Sequence, residues 1–185
     1  MPLQIVLSEI QQRIQEGCKE VVITGPQIGS YGTYPPTPEY RFDPQNYSGR
    51  LHGLIENILS ATELPRLRIS SIQPQDLTNR LLDALNQPRV CRHVHMALQS
   101  GSDTVLGRMG RRYRTEEFRD AVIRRRTAVP GIAVTTDVMV GFPGETDSEF
   151  DEGHKFCEEM EFAGIHLFPY SIRPGTRASS MNKHI

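Results

Sequence analysis

Two rhythms of apolar and polar positions alternate along the chain. A helical rhythm opens it at about 3–16, where Val6, Ile10 and Ile14 fall on one face. Apolar runs follow at VVIT (21–24), RLRIS (66–70), HVHMAL (93–98), IAVTTDVMV (132–140) and IHLF (165–168), and these predict five strands. Helical patterns near 50–60, 75–86, 115–128 and 146–160 separate them. Strands that alternate with helices pair in parallel through crossover connections and are covered by those helices. The expected fold is therefore α/β, a parallel sheet or a partial (βα) barrel of about five strands, in one domain over 1–185.

Residues two apart on a strand share a face, so each run divides into two sets. One set is apolar: Leu67 and Ile69; Val94, Met96 and Leu98; Val134, Val138 and Val140; Ile165 and Leu167. The other is mixed: Arg68 and Ser70; His93, His95 and Gln99; Thr135, Asp137 and Met139; His166, Phe168 and Tyr170. A packed eight-stranded barrel fills its interior with branched apolar side chains. A polar inner set instead predicts a ligand-holding concavity; the lesser alternative is that Asp137 simply pairs with Arg68 or a histidine, and His95 and His166 could equally be hydrogen-bonded core histidines or catalytic groups.

Three strands end in turn-forming loops: HMALQSGSD (95–103), TTDVMVGFPGET (135–146) and FPYSIRPGT (168–176). The second has Gly141, Gly144 and Glu145 ahead of a helix, where missing Cβ atoms and free helix amides admit a polar ligand. The Pro- and Tyr-rich stretch from Tyr31 to Gly49 fits neither period and reads as a long loop, either a substrate-facing lid or a flexible insertion. From Arg108 to Arg126 there are eight arginines against three carboxylates, Glu116, Glu117 and Asp120. Arg111 and Arg112 could clamp a carboxylate or phosphate; Arg124 to Arg126 read as a solvated helix end or an RNA contact.

Composition narrows the rest. With 21 basic and 22 acidic residues in 185, there is no global polyelectrolyte signal. Cys18, Cys91 and Cys157 are scattered and odd in number, which argues against a disulfide framework and against a metal site within the chain. No apolar run reaches the ~18 residues of a membrane span, and the start lacks a targeting pattern, so a cytoplasmic location is expected with no membrane partner.

The segments VITGPQIGSYG, RLRISSIQP, HMALQSGSDTVLGRMGRRY, TTDVMVGFPGETDSEF and FPYSIRPGTRAS, in this order, resemble the radical S-adenosylmethionine methylthiotransferases. The branch acting on N6-threonylcarbamoyladenosine beside the tRNA anticodon is the most similar; other branches act on isopentenyladenosine or a ribosomal-protein aspartate. The resemblance implies an open six-stranded barrel with S-adenosylmethionine across the strand ends, here short of its first strand. Gly141, Gly144 and Glu145 would border adenine and ribose, while Gln99 and Ser100 would approach the ribose and methionyl part. Arg111 would meet the methionyl carboxylate, Thr24 and Gly25 would lie near its amine, and Ser70, Asp137, Phe168 and Tyr170 would complete the lining.

The resemblance also implies 4Fe-4S clusters, an electron donor and a tRNA substrate for the full-length protein. Its CxxxCxxC loop, N-terminal auxiliary-cluster domain and C-terminal RNA-binding domain are not found in this sequence. The expectation is a fragment inactive alone, with no acid–base residue assigned. Two other readings stand beside it: a phosphate-binding α/β-barrel enzyme using GFPGET as its anion loop, and a cluster-less scaffold.

Overall fold

The computed structural model describes residues 1–25, 27–32 and 50–184. Helix α1 (Leu3–Gln15) leads into strand β1 (Glu20–Ile23), and α2 (Leu51–Ala61) into β2 (Arg66–Ile69). A 3-10 turn at Pro74–Asp76 and α3 (Asn79–Leu85) precede β3 (His93–His95). Then come α4 (Asp103–Met109), α5 (Thr115–Ala128), β4 (Ala133–Val140), α6 (Asp147–Glu159) and β5 (Gly164–Pro169). The lid expected between Tyr31 and Gly49 lies, from 33 onward, outside the described residues.

All strand pairs are parallel. β1 pairs with β2, and β3, β4 and β5 pair in that order. The two groups are stitched by bridges from Leu67 to Val90 and from Ile72 to Met96, so the strands follow one another in sequence order. This is the partial βα arc that the alternating pattern predicts. α4 is an addition: its seven residues are too short for a distinct helical period. Gly110 ends it at φ 74°, with the Arg111 amide donating to the Leu106 carbonyl.

The outer face of the arc holds the core. Leu67, Ile69, Val94, Met96, Leu98 and Val134 are at most 1% exposed beneath the helices. Leu54, Ile55 and Ile58 of α2 and Phe118 and Val122 of α5 close over them. Phe118 meets Tyr113, Phe156 and Phe162 at ring separations of 6.2, 6.4 and 6.0 Å, joining α5 to α6. Ile165 and Leu167 depart from the expectation. They share the outer face, yet stand 42% and 65% exposed, because no described helix covers β5. Beside them, Phe150, Gly153 and Cys157 of α6 help enclose a largely apolar cavity of about 340 Å³ on this outer side.

The reading of the arginine run is corrected at Arg125. Arg125 is fully buried, with its Nη2 donating to the Leu85 carbonyl at 3.3 Å, and burial pulls its pKa down to about 10. Arg126 donates to the carbonyls of Met160 and Glu161 at the end of α6, and Arg124 to the Asn79 side chain. These are inter-helix ties. Arg125 is therefore not part of a solvated face, whereas Arg124 stays exposed as the solvated reading expects.

Candidate functional site

β3 and β4 build the site through a defect in their ladder. They pair regularly from His93 to His95, and then the three residues that follow β3 are spanned by two of β4 before Gln99 bridges Val138. The Gln99 amide donates to the Asp137 carbonyl, and the Met139 amide to the Gln99 carbonyl, both at 2.8 Å. Buried Thr136 repairs the gap: its hydroxyl donates to the Met96 carbonyl at 2.6 Å and accepts the Leu98 amide at 3.0 Å. A bulge of this kind re-aims the chain at a strand end. This one puts Gln99 at φ 70°, a left-handed conformation that a branched-chain-free polar residue adopts only at some cost. Ser71, just after β2, is held at φ 63° at the same end of the arc, and no period in the sequence marks it.

Behind this rim, the loop after β3 is fixed from several sides. The Tyr113 hydroxyl donates to the Ala97 and Leu98 carbonyls, and burial pushes its pKa up to about 12. Gly101 lies against α6, where a Cβ would meet the Gly153 carbonyl and the Phe156 Cβ at 2.8 Å. Ser100 is 3% exposed, and its hydroxyl accepts the Ser102 amide. Gln99 is buried too, while Arg111 is partly exposed, and its guanidinium takes no hydrogen bond or ion pair among the described residues.

The glycine turn after β4 is closed by its own acid. The Glu145 carboxylate accepts the amides of Gly141 and Phe142, at 2.5 and 3.2 Å. The Gly144 amide donates to the Lys183 carbonyl, and the Glu145 amide to the Phe142 carbonyl. Gly141 and Gly144 stand at φ 71° and 76°, with open space where a Cβ would project. Amides already spent on a carboxylate are not available to phosphate. The anion-loop reading of GFPGET is corrected on that ground.

α6 then starts at a capping box, Thr146 with Glu149. Arg108 of α4 grips the same Glu149 by two bonds of 2.9 and 2.8 Å, and together they hold its carboxyl down at about 2.

Asp137, His95 and His166 do meet on the inner face, as their alternation predicts. His95 Nε2 is 3.1 Å from Asp137 Oδ2, and His166 Nδ1 is 3.8 Å from Oδ1. Arg68 does not join them; it pairs with Glu20 at 2.6 Å. Phe168 is half-buried on the same face, next to Met139 in register. Tyr170 stacks on His184 at 5.7 Å and meets Phe142 edge-on at 5.5 Å. Ser70 follows β2, its amide donating to the Ile23 carbonyl, with exposed Thr24 and partly exposed Gly25 beyond β1. Thr24, Gly25, Ser70, Gln99, Asp137, Gly141 and Phe168 thus stand at or near the C-terminal strand ends, the end at which open α/β sheets take ligands.

An open parallel arc with a bulged, polar strand-end rim fits a ligand-binding α/β domain, and the family follows from sequence similarity. Residues 1–157 match the radical SAM superfamily, and the chain belongs to that superfamily. It is 39% identical to the threonylcarbamoyladenosine tRNA methylthiotransferase MtaB of Thermotoga maritima, over 97% of this chain and 39% of that protein. The Bacillus subtilis MtaB is also 39% identical, with 97% of this chain and 38% of that protein aligned. A tRNA-2-methylthio-N(6)-dimethylallyladenosine synthase from a Parafrankia species is 40% identical over 96% of this chain and 34% of its own length. The chain thus spans well under half the length of these relatives. Among solved structures, the radical S-adenosylmethionine methyltransferase TsrM of Kitasatospora setae superposes with a TM-score of 0.66 at 17% identity, covering 90% of this chain and 30% of that one.

The superfamily brings S-adenosylmethionine and a 4Fe-4S cluster. The residues present suit the first: open glycine backbone, a half-buried Asp137 with one oxygen beyond hydrogen-bond reach of His166, and an Arg111 guanidinium without a partner among the described residues. They do not suit the second. Cys18, Cys91 and Cys157 are free thiols on separate elements, and the described residues contain no group of three metal-binding side chains. No described helix is long and apolar enough to cross a membrane.

Proposed function

We propose that this chain is the cofactor-facing barrel of a longer methylthiotransferase that converts N6-threonylcarbamoyladenosine of tRNA, beside the anticodon, to its 2-methylthio form. The observation that carries this reading is the 39% identity to two MtaB enzymes across 97% of the chain, with the rim segments included. S-adenosylmethionine, when bound, supplies the methyl group and the radical chemistry at carbon. The chain's own part is to hold that molecule. Asp137 and Ser70 accept or donate hydrogen bonds from the inner face, Gln99 and Ser100 shape the strand-end loop, and Gly141 and Gly144 leave room for the nucleoside. Glu145 keeps that turn closed, Thr24 and Gly25 border the amino-acid end, Arg111 offers a cation to its carboxylate, and Phe168 and Tyr170 form the apolar wall. No step is assigned to a protein acid or base.

A second reading, methylthiolation of dimethylallyladenosine, is supported by the 40% identity to the Parafrankia synthase. One experiment separates the readings. The longest reading frame containing this chain is expressed in a strain lacking its own tRNA methylthiotransferases, and its tRNA nucleosides are analysed by mass spectrometry. A 2-methylthio derivative of threonylcarbamoyladenosine supports the first reading, and one of dimethylallyladenosine supports the second. Neither product, together with no 5′-deoxyadenosine from the anaerobically reconstituted protein, would leave a cluster-less scaffold.

A further inference from the structure

A directed chain of hydrogen bonds crosses the inner face beneath the rim. His93 Nε2 lies 3.0 Å from Thr135 Oγ1, which lies 3.1 Å from His95 Nδ1; His95 Nε2 lies 3.1 Å from Asp137 Oδ2. Period-two alternation produces this line, since 93 and 95 on β3 and 135 and 137 on β4 face the same side in register.

Donor and acceptor capacity gives the line a direction. A carboxylate only accepts, so His95 Nε2 carries the hydrogen that meets Asp137. In the neutral ring, Nδ1 must then accept, and the single hydroxyl proton of Thr135 goes to it. Thr135 Oγ1 is left to accept from His93 Nε2, which leaves His93 Nδ1 bare. That nitrogen is buried and has no partner among the described residues. Burial foremost, and Arg68 after it, lowers the pKa of His93, in keeping with a neutral ring. The other charged groups on this face, Glu20, Arg66 and Arg68, are paired with one another. The line ends on Asp137, whose second oxygen has, among the described residues, only the outlying His166, 89% exposed at its side chain.

We infer that His95 is a positioning residue: braced by Thr135 and His93, it locks one oxygen of Asp137 so that the other is presented to a hydroxyl or N–H of the cofactor. The inference rests on the placement of Asp137 in the cofactor lining made under Proposed function. Orientation of a contacting group by a braced neighbour is the means by which sites gain affinity without added contacts.

Two measurements test it. Nitrogen NMR of histidine-labelled protein reads the ring tautomers. His93 and His95 should both carry hydrogen on Nε2, and Thr135→Val should leave His95 so while releasing His93 to a tautomer mixture. A hydrogen on His95 Nδ1 would overturn the chain. Calorimetric titration with S-adenosylmethionine tests the consequence. His95→Leu should weaken binding about tenfold, and His95→Gln, whose amide still reaches Asp137, should recover to within about threefold. In an Asp137→Asn background, His95→Leu should have no further effect. An equal loss in that background would reduce His95 to a packing role. Failure of the parent protein to bind S-adenosylmethionine would instead remove the cofactor reading, while the tautomers still decide the hydrogen-bond chain.

Discussion

The two faces of β4 are built from alternate residues of one strand and obey different rules. Val134, Thr136 and Val138 look outward under the helices and are 1%, 1% and 8% exposed. Thr135, Asp137 and Met139 look inward and are only half-buried. On the closed face the one polar group, Thr136, has both hydrogen-bonding roles filled by backbone of Met96 and Leu98, just after β3. On the open face the polar groups bond to each other and leave a carboxylate oxygen unspent. Burial decides which polar side chains are structural and which are available.

The comparison breaks most readily on the outer face. Leu67→Ala should cost about 3 kcal/mol in urea unfolding, because a fully buried strand residue leaves a cavity that the sheet cannot collapse. A loss under about 1 kcal/mol would show that the outer layer is loosely packed. Thr136→Val should cost about 2 kcal/mol by leaving the Leu98 amide and Met96 carbonyl unpaired, whereas Thr135→Val on the inner face should cost under about 1 kcal/mol. Equal losses would erase the distinction between the faces.

The clamp from α4 to α6 gives a smaller, pH-dependent effect. Glu149 has its folded pKa lowered to about 2 from the ordinary 4.5, so its stabilisation is whole above about pH 4.5 and is lost as pH falls toward 2. Glu149→Gln should remove about 1 kcal/mol at neutral pH and flatten the acid side of the stability profile over that window; an unchanged profile would assign the acid sensitivity elsewhere. Smallest of all, Arg125→Met should be neutral or stabilising by about 1 kcal/mol, because among the described residues the buried guanidinium has no carboxylate partner and leaves Nε and Nη1 unpaired. A loss of several kcal/mol in thermal or urea unfolding would mean that the single bond to Leu85 outweighs desolvation.

Legibility followed the length of the pattern. β4, eight residues of clean alternation, was readable almost to the residue, and so was α5 at 115–128. HVHMAL was not. Its first three residues form the regular strand, and the remainder enters a bulge, because the departure is set by pairing with β4. Arg125 looked like part of a charged surface because composition carries no information about which helix ends pack across α5.

The order of sequence segments and the period-two sets determined the βα class, the inner and outer faces, and the gathering of His95, Asp137 and His166, since these follow from local geometry repeated along one strand. Tertiary structure alone decided that Glu145 fills the amides of its own turn, that Thr136 mends the bulge, that β5 stands uncovered, and that Thr135 links two histidines to one carboxylate. Those outcomes depend on distances between groups that are remote in sequence or on competition for a single proton or lone pair. A one-dimensional pattern holds neither quantity.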